Sequence, residues 1–294
     1  MFKRVYSSAK LSIFVSRKLY GSEMRFEKVL PSTKLQQFVK YIWFLEVAES
    51  DIPFSQHLLP YSCCQLFFHL EQSPEMYLWN GIQDKSQHDS IFSGQFTKSI
   101  FLNYTKPCRC VGVSLQPWAG NSLFDCPANH ASDRLLHTDN FDKKSRLREQ
   151  LLIVKTENEI LVLLEQYLLD KLRNRNIDQL STDIAKAILK KPTVSEYKNI
   201  VSTIGFSRRR VEQRFLESTG VSMGSFVRKT RFEKASQLLG YSNQLSLTLI
   251  GLEADYYDQS HFVREFKEFS SMTPTAFLKQ TQKMDRNTKD LIIG

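Results

Sequence analysis

The spacing of apolar and polar positions changes rhythm twice along this chain. Between residues 35 and 45 the apolar positions Leu35, Phe38, Val39 and Ile42 predict a short amphipathic helix that runs into an apolar segment. After Pro60 the rhythm shortens. Residues 66–70, 76–79, 99–102 and 110–115 are runs of aromatic and β-branched residues separated by Gly, Pro, Asn and Asp, the pattern of strands and turns. Together these predict a β-rich domain over 24–141. Helical spacing returns after Asp142. Thr156 and Glu159 form a capping box, in which the hydroxyl accepts from the third helical N–H and the carboxylate reaches back to the cap. The helix opened there carries Ile160, Leu161, Leu163, Leu164, Tyr167, Leu168 and Leu172, a wide apolar face that reads either as core or as a dimer seam. Segment 142–176 is therefore a helical linker and a candidate dimerisation region. A helix over 178–191 follows, stopped by Pro192.

The last third holds a repeat. Ser207, Phe215, Gly220, Ser222 and Phe226 match Asp258, Phe266, Ser271, Thr273 and Phe277 at one offset of 51 residues. Each copy opens on a helix N-cap residue, places apolar residues four and eight positions later, and is preceded by a helical pattern and a turn. Between the copies, 222–239 reads as one helix of about 25 Å. Phe226, Val227, Ala235 and Leu238 face inward there, and Arg228, Lys229 and Lys234 outward. The expected fold is α+β, a β-rich N-terminal domain and helical linker followed by an all-α domain over 177–282. That domain holds two helix-turn-helix units joined by the long helix.

In the first unit Val211 and Phe215 must point to the core, leaving Arg208, Arg209, Glu212 and Gln213 outward with Arg210 and Arg214 flanking. In the second, Phe262 and Phe266 turn inward and Gln259, Ser260, Val263 and Arg264 point out. These side chains suit base edges: Arg for guanine, Gln for adenine, Glu for the cytosine amine, Val for the thymine methyl. A solvated charged face explains either unit alone, but not two matching units on a rigid connector. Double-stranded DNA is the partner they predict.

Charge sharpens this picture. Residues 1–23 carry +4, residues 24–175 carry none, and 176–294 carry +5, with eight basic and three acidic residues in 207–234. A basic patch beside a neutral body fits a nucleic-acid module joined to another function. Residues 1–23 read as a basic arm or an organelle-type presequence, and 283–294 as a polar tail. No apolar run approaches a membrane span, so a cytoplasmic protein is expected. The five cysteines (63, 64, 108, 110 and 126) lack zinc-site spacing and read as reduced buried thiols or a redox pair. There is no G-x-S-x-G, no H-E-x-x-H and no phosphate loop, so neither catalysis, cofactor nor metal is expected.

The run 252–267, Leu-Glu-Ala-Asp-Tyr-Tyr-Asp-Gln-Ser-His-Phe-Val-Arg-Glu-Phe-Lys, followed by Met272-Thr273-Pro274-Thr275-Ala276-Phe277, resembles the signature of AraC/XylS-type bacterial transcription regulators. The resemblance implies one monomer placing helices 207–218 and 258–269 in successive major grooves. It puts Arg209, Glu212, Gln213, Gln259, Ser260, Val263 and Arg264 at base-reading positions. It also implies a small-molecule effector, RNA polymerase and a homodimer as partners. Asp255 stands at the family's turn glycine, where positive φ is expected, and Ser271 at a second glycine position. The segments around Leu59-Pro60, Gly94 and 111–117 are similar to sensor domains of one subgroup. A domain that only recruits a protein partner is the competing reading, and a cysteine methyl-acceptor at Cys63 or Cys64 the enzymatic one.

Overall fold

The computed structural model describes residues 24–71, 73–77, 83–84, 89–123, 127–143, 145–173, 175–241, 246–282, 284 and 289. The basic arm, almost all of the polar tail, and Cys126 lie outside these residues. Among them the N-terminal region forms β1 (Arg25–Val29), β2 (Val39–Val47), β3 (Phe54–Leu58), β4 (Cys64–His69), β5 (Glu75–Tyr77), β6 (Gln83–Asp84), β7 (Ser90–Ser93), β8 (Ile100–Tyr104), β9 (Cys108–Leu115) and β10 (Leu135–His137). A six-stranded sheet runs in the order β1-β2-β9-β4-β7-β10 and a four-stranded sheet in the order β3-β8-β5-β6.

Period-two alternation explains how the first sheet serves two layers. Val39, Ile42 and Phe44 of β2, with Val111, Val113 and Leu115 of β9, enter a core shared with the helices beneath. Leu45 and Val47, with Cys108 and Cys110, enter a second core between the sheets. Trp43 lies flat over Gly112, where an added Cβ would stand 2.1 Å from its ring. The helix expected around 35–45 is mostly β2. Its apolar positions fit a strand buried on both faces, a pattern that mimics helical spacing over so short a run.

A short helix α1 (Gly120–Leu123) leads to α2 (Leu147–Ile153) and α3 (Glu157–Leu172). The capping box forms as expected: the Glu159 N–H donates to Thr156 Oγ1 at 3.3 Å, and the Thr156 N–H to the Glu159 carboxylate at 2.9 Å. Ile160, Leu164, Leu168 and Leu172 are fully or nearly fully buried in the sheet's core. The inner leucines are thus core, which accounts for the wide face without a dimer seam through Leu164 and Leu168. The segment expected as a linker packs as part of the N-terminal body.

The remaining helices are α4 (Gln179–Lys190), α5 (Val194–Thr203), α6 (Arg208–Thr219), α7 (Met223–Tyr241), α8 (Leu247–Glu253), α9 (Gln259–Ser270) and α10 (Pro274–Gln282). They enclose two cores threaded by α7. Phe226 and Val227 join Ile184, Val211 and Phe215 in one, and Phe232 and Leu239 join Ile250, Phe262 and Phe266 in the other. The N-terminal domain inserts Trp118 into the first and Leu59 into the second. Among the described residues no helix is long and apolar enough to cross a membrane.

One placement on α7 differs from expectation. Lys229 is fully buried rather than solvent-facing. The pair Lys229 and Glu233 looks polar in sequence, but it faces the N-terminal domain. Lys229 Nζ donates to Gln95 there, and Glu233 pairs with Lys40 at 3.3 Å.

Candidate nucleic-acid interface

The two repeat helices are built by the same local devices. Ser207 caps α6 by accepting from the Arg210 N–H, and Asp258 caps α9 by accepting from the His261 N–H at 2.7 Å. At the far ends Gly220 (φ 86°) and Ser271 (φ 61°) take the left-handed conformation that closes a helix. Asp255 has φ 64°, the positive value expected of it, and its carboxylate holds Lys234 at 3.1 Å. The turn of the first unit differs, with Ile204, at the repeat position of Asp255, extended.

Every base-reading candidate except Val263 is exposed. Arg208 pairs with Glu212 at 2.8 Å, which raises its already high pKa, and Gln213 donates to Glu217 at 2.6 Å. Gln259 accepts from Thr248 at 2.8 Å. Val263 is half-buried against the second core. Arg209 and Arg264 have no ion-pair partner among the described residues, which leaves both guanidiniums available to a ligand. The flanking arginines are occupied. Arg214 forms a forked pair with Asp178, and Arg210 lies over the Phe206 ring at 4.8 Å. Burial opposes ionisation of Asp178, but the Arg214 guanidinium and the Ser181 N–H outweigh it and hold the carboxyl below its usual range. Arg228, expected to point outward, is held by Glu265 and Glu268.

Sequence reasoning missed one pair. Phe206 and Tyr257 occupy the same repeat position, just before each cap, and both are exposed, Tyr257 at 94%. The 51-residue offset was the available signal.

A second feature lies between the two sheets. A cavity of about 150 Å³ is walled by aromatic and aliphatic side chains, among them Phe26, Trp43, Tyr61, Phe67 and Tyr104. Gln65 is a polar group in its wall, accepting from Trp43 Nε1 and Ser114 Oγ and donating to Cys63 Sγ. His69, also in the wall, is driven by burial to a pKa of about 4 and is neutral at pH 7. Burial likewise pushes the thiols of Cys64 and Cys108 up to about 12 and raises those of Cys63 and Cys110. These are poor nucleophiles, which argues against a redox pair or a methyl acceptor. Among the described residues no three potential ligands gather around a metal position.

Parts of the chain are similar to known families and proteins. A helix-turn-helix domain family matches residues 200–280, and a domain of unknown function, DUF6597, matches 27–137. Over 118 residues the chain is 30% identical to an uncharacterised HTH-type transcriptional regulator of Haemophilus influenzae, covering 40% of this chain and 38% of that protein. Over 75 residues it is 37% identical to the F1 operon positive regulatory protein of Yersinia pestis, covering 25% of this chain and 24% of that one. The chain thus spans well under half the length of these relatives. ToxT from Vibrio cholerae superposes with a TM-score of 0.47 at 11% identity, over 81% of this chain and 97% of that one.

Proposed function

We propose that this protein is a sequence-specific DNA-binding transcription regulator of the AraC type, from the premise that residues 200–280 match a helix-turn-helix domain family. Helices α6 and α9 enter successive major grooves and read bases through Arg208, Arg209, Glu212 and Gln213, and through Gln259, Ser260, Val263 and Arg264. One observation carries the reading. Two capped helices of 12 residues, related by the repeat, each present an exposed arginine without an ion-pair partner, and one helix joins them. The N-terminal domain senses a small effector. A walled aromatic cavity supports that over recruitment of a partner, for which a flat apolar face is the expected feature. Double-stranded DNA and RNA polymerase are the macromolecular partners in this reading, with a second copy of the chain where sites are paired.

The test is a pair of substitutions on a site selected from random duplex DNA. Arg209→Ala and Arg264→Ala should each weaken binding to that site by about 1–3 kcal/mol and binding to random DNA much less. Equal loss on both kinds of DNA would reduce these arginines to phosphate contacts.

A further inference from the structure

Two segments of the N-terminal domain do two jobs at once. Ser93, Gly94, Phe96 and Ile100 wall the cavity, while Gln95 and Ser99 between them turn outward to the DNA-binding domain. Gln95 is fully buried, donates to the Thr219 carbonyl at 2.7 Å and accepts from Lys229 at 2.8 Å. The Ser99 N–H donates to the Phe269 carbonyl at 3.0 Å. Residues 59–63 repeat the arrangement. Tyr61 and Cys63 wall the cavity, and the Ser62 N–H donates to Glu233 of α7 at 3.2 Å. Ser132 adds a bond to the Gly220 carbonyl at 2.6 Å.

The bonded positions have a common location. Thr219 and Gly220 end α6, and Phe269 lies in the last turn of α9. The N-terminal domain therefore grips both reading helices by their C-terminal ends, about 18 Å from the caps whose neighbours face the bases. Such a grip fixes one helix relative to the other without covering either reading surface.

The walls define what the cavity accepts. None of the described residues lining it is Asp, Glu, Lys or Arg. A charged ligand would lose its hydration there without gaining a counter-ion, a cost of several kcal/mol. Its volume compares with an apolar cavity known to take benzene.

We propose that this cavity is an effector site for a small uncharged aromatic molecule of one or two fused rings, and that segments 59–63 and 93–100 carry its occupancy to both reading helices. The proposal rests on the DNA-binding reading above. Segments 59–63 and 93–100 both wall the cavity and bond to the helices, so a ligand that favours their present conformation stabilises the grip by linkage. It therefore sharpens the required spacing between the two half-sites.

The full-length chain is tested with indole as the probe, and with indole-3-carboxylate and tryptamine as charged versions of the same ring. Indole should raise the melting temperature by about 2 °C or more, and the charged compounds should not. Spacing discrimination is the ratio of Kd for a selected site lengthened by about half a helical turn to Kd for the site itself. Indole should raise that ratio at least about threefold in the wild type. The double variant Gln95→Leu with Lys229→Met removes the Gln95 bonds to the Thr219 carbonyl and to Lys229, and so loosens the grip, while leaving the residues that wall the cavity unchanged. It should bind indole with the same melting shift and show a clearly smaller change in the ratio. Ser132→Ala, a milder change, should show a reduced response and serves if the double variant does not fold. No melting shift with indole, or equal shifts with the charged compounds, would overturn the ligand class. A shift with no change in ratio, or an equal change in the variants, would overturn the transmission. If selection enriches no sequence, the DNA-binding reading fails instead, and the melting arm still decides what the cavity holds.

Discussion

Lys229 shows where reading residue by residue stops. Its neighbours Arg228 and Thr230 gave no sign that it would be buried, because the surface that covers it is about 130 residues away at Gln95. Burial lowers its pKa from 10.5 to about 8. The unfolded chain then binds this proton more tightly than the folded one, so its contribution to stability rises with pH from about 8 to 10.5. Lys229→Met should abolish that rise, as measured by melting temperature between pH 7 and 10. At pH 7 the relief of the buried cation and the stranding of the Gln95 carbonyl oppose each other at about 1–3 kcal/mol each, so the net change there should be small. A pH profile unchanged by the substitution would show that another group carries the titration. By contrast, Arg209 and Arg264 were fully legible. Their outward placement follows from the apolar residues at 211, 215, 262 and 266, all fully buried.

Elements with their own start and stop signals were the easiest to read. The Thr156 capping box, the Ser207 and Asp258 caps and the positive φ of Asp255 all stand where local chemistry placed them. The 35–45 segment misled because its apolar positions serve two cores, and over so few residues that spacing fits a helix as well as a strand. The breadth of the α3 face had two explanations, and only the sheet beneath it decided for core. Leu164→Ala should therefore cost about 2–5 kcal/mol of stability, and sedimentation should show no change of mass that tracks with it. A folded monomer formed from a wild-type dimer would restore the seam. Gly220 joins element to domain. Its φ of 86° and an added Cβ 2.6 Å from Ser132 Oγ predict that Gly220→Ala costs at least about 1–2 kcal/mol. A thermal denaturation curve indistinguishable from wild type would mean that the α6 terminus is free to move.

At the scale of the whole molecule, the division into a β-rich body and a helical body was visible in the two rhythms of the sequence. The coupling between them was not. Trp118 and Leu59 complete cores that belong to the other domain, and Gln95, Ser99 and Ser132 hold helix ends that the repeat alone describes. Such contacts pair residues far apart in sequence, with no periodicity to announce them. The cavity was equally hidden, since its wall draws single residues from many strands. What the sequence carried clearly was the outward placement of the polar side chains on α6 and α9, and the proposed base reading rests there. The direct measurement is a chemical footprint of the selected site with wild type, Arg209→Ala and Arg264→Ala. Protection should weaken in two separate major-groove segments, about one helical turn apart, one for each variant. Loss of protection in the same segment for both variants would contradict the account.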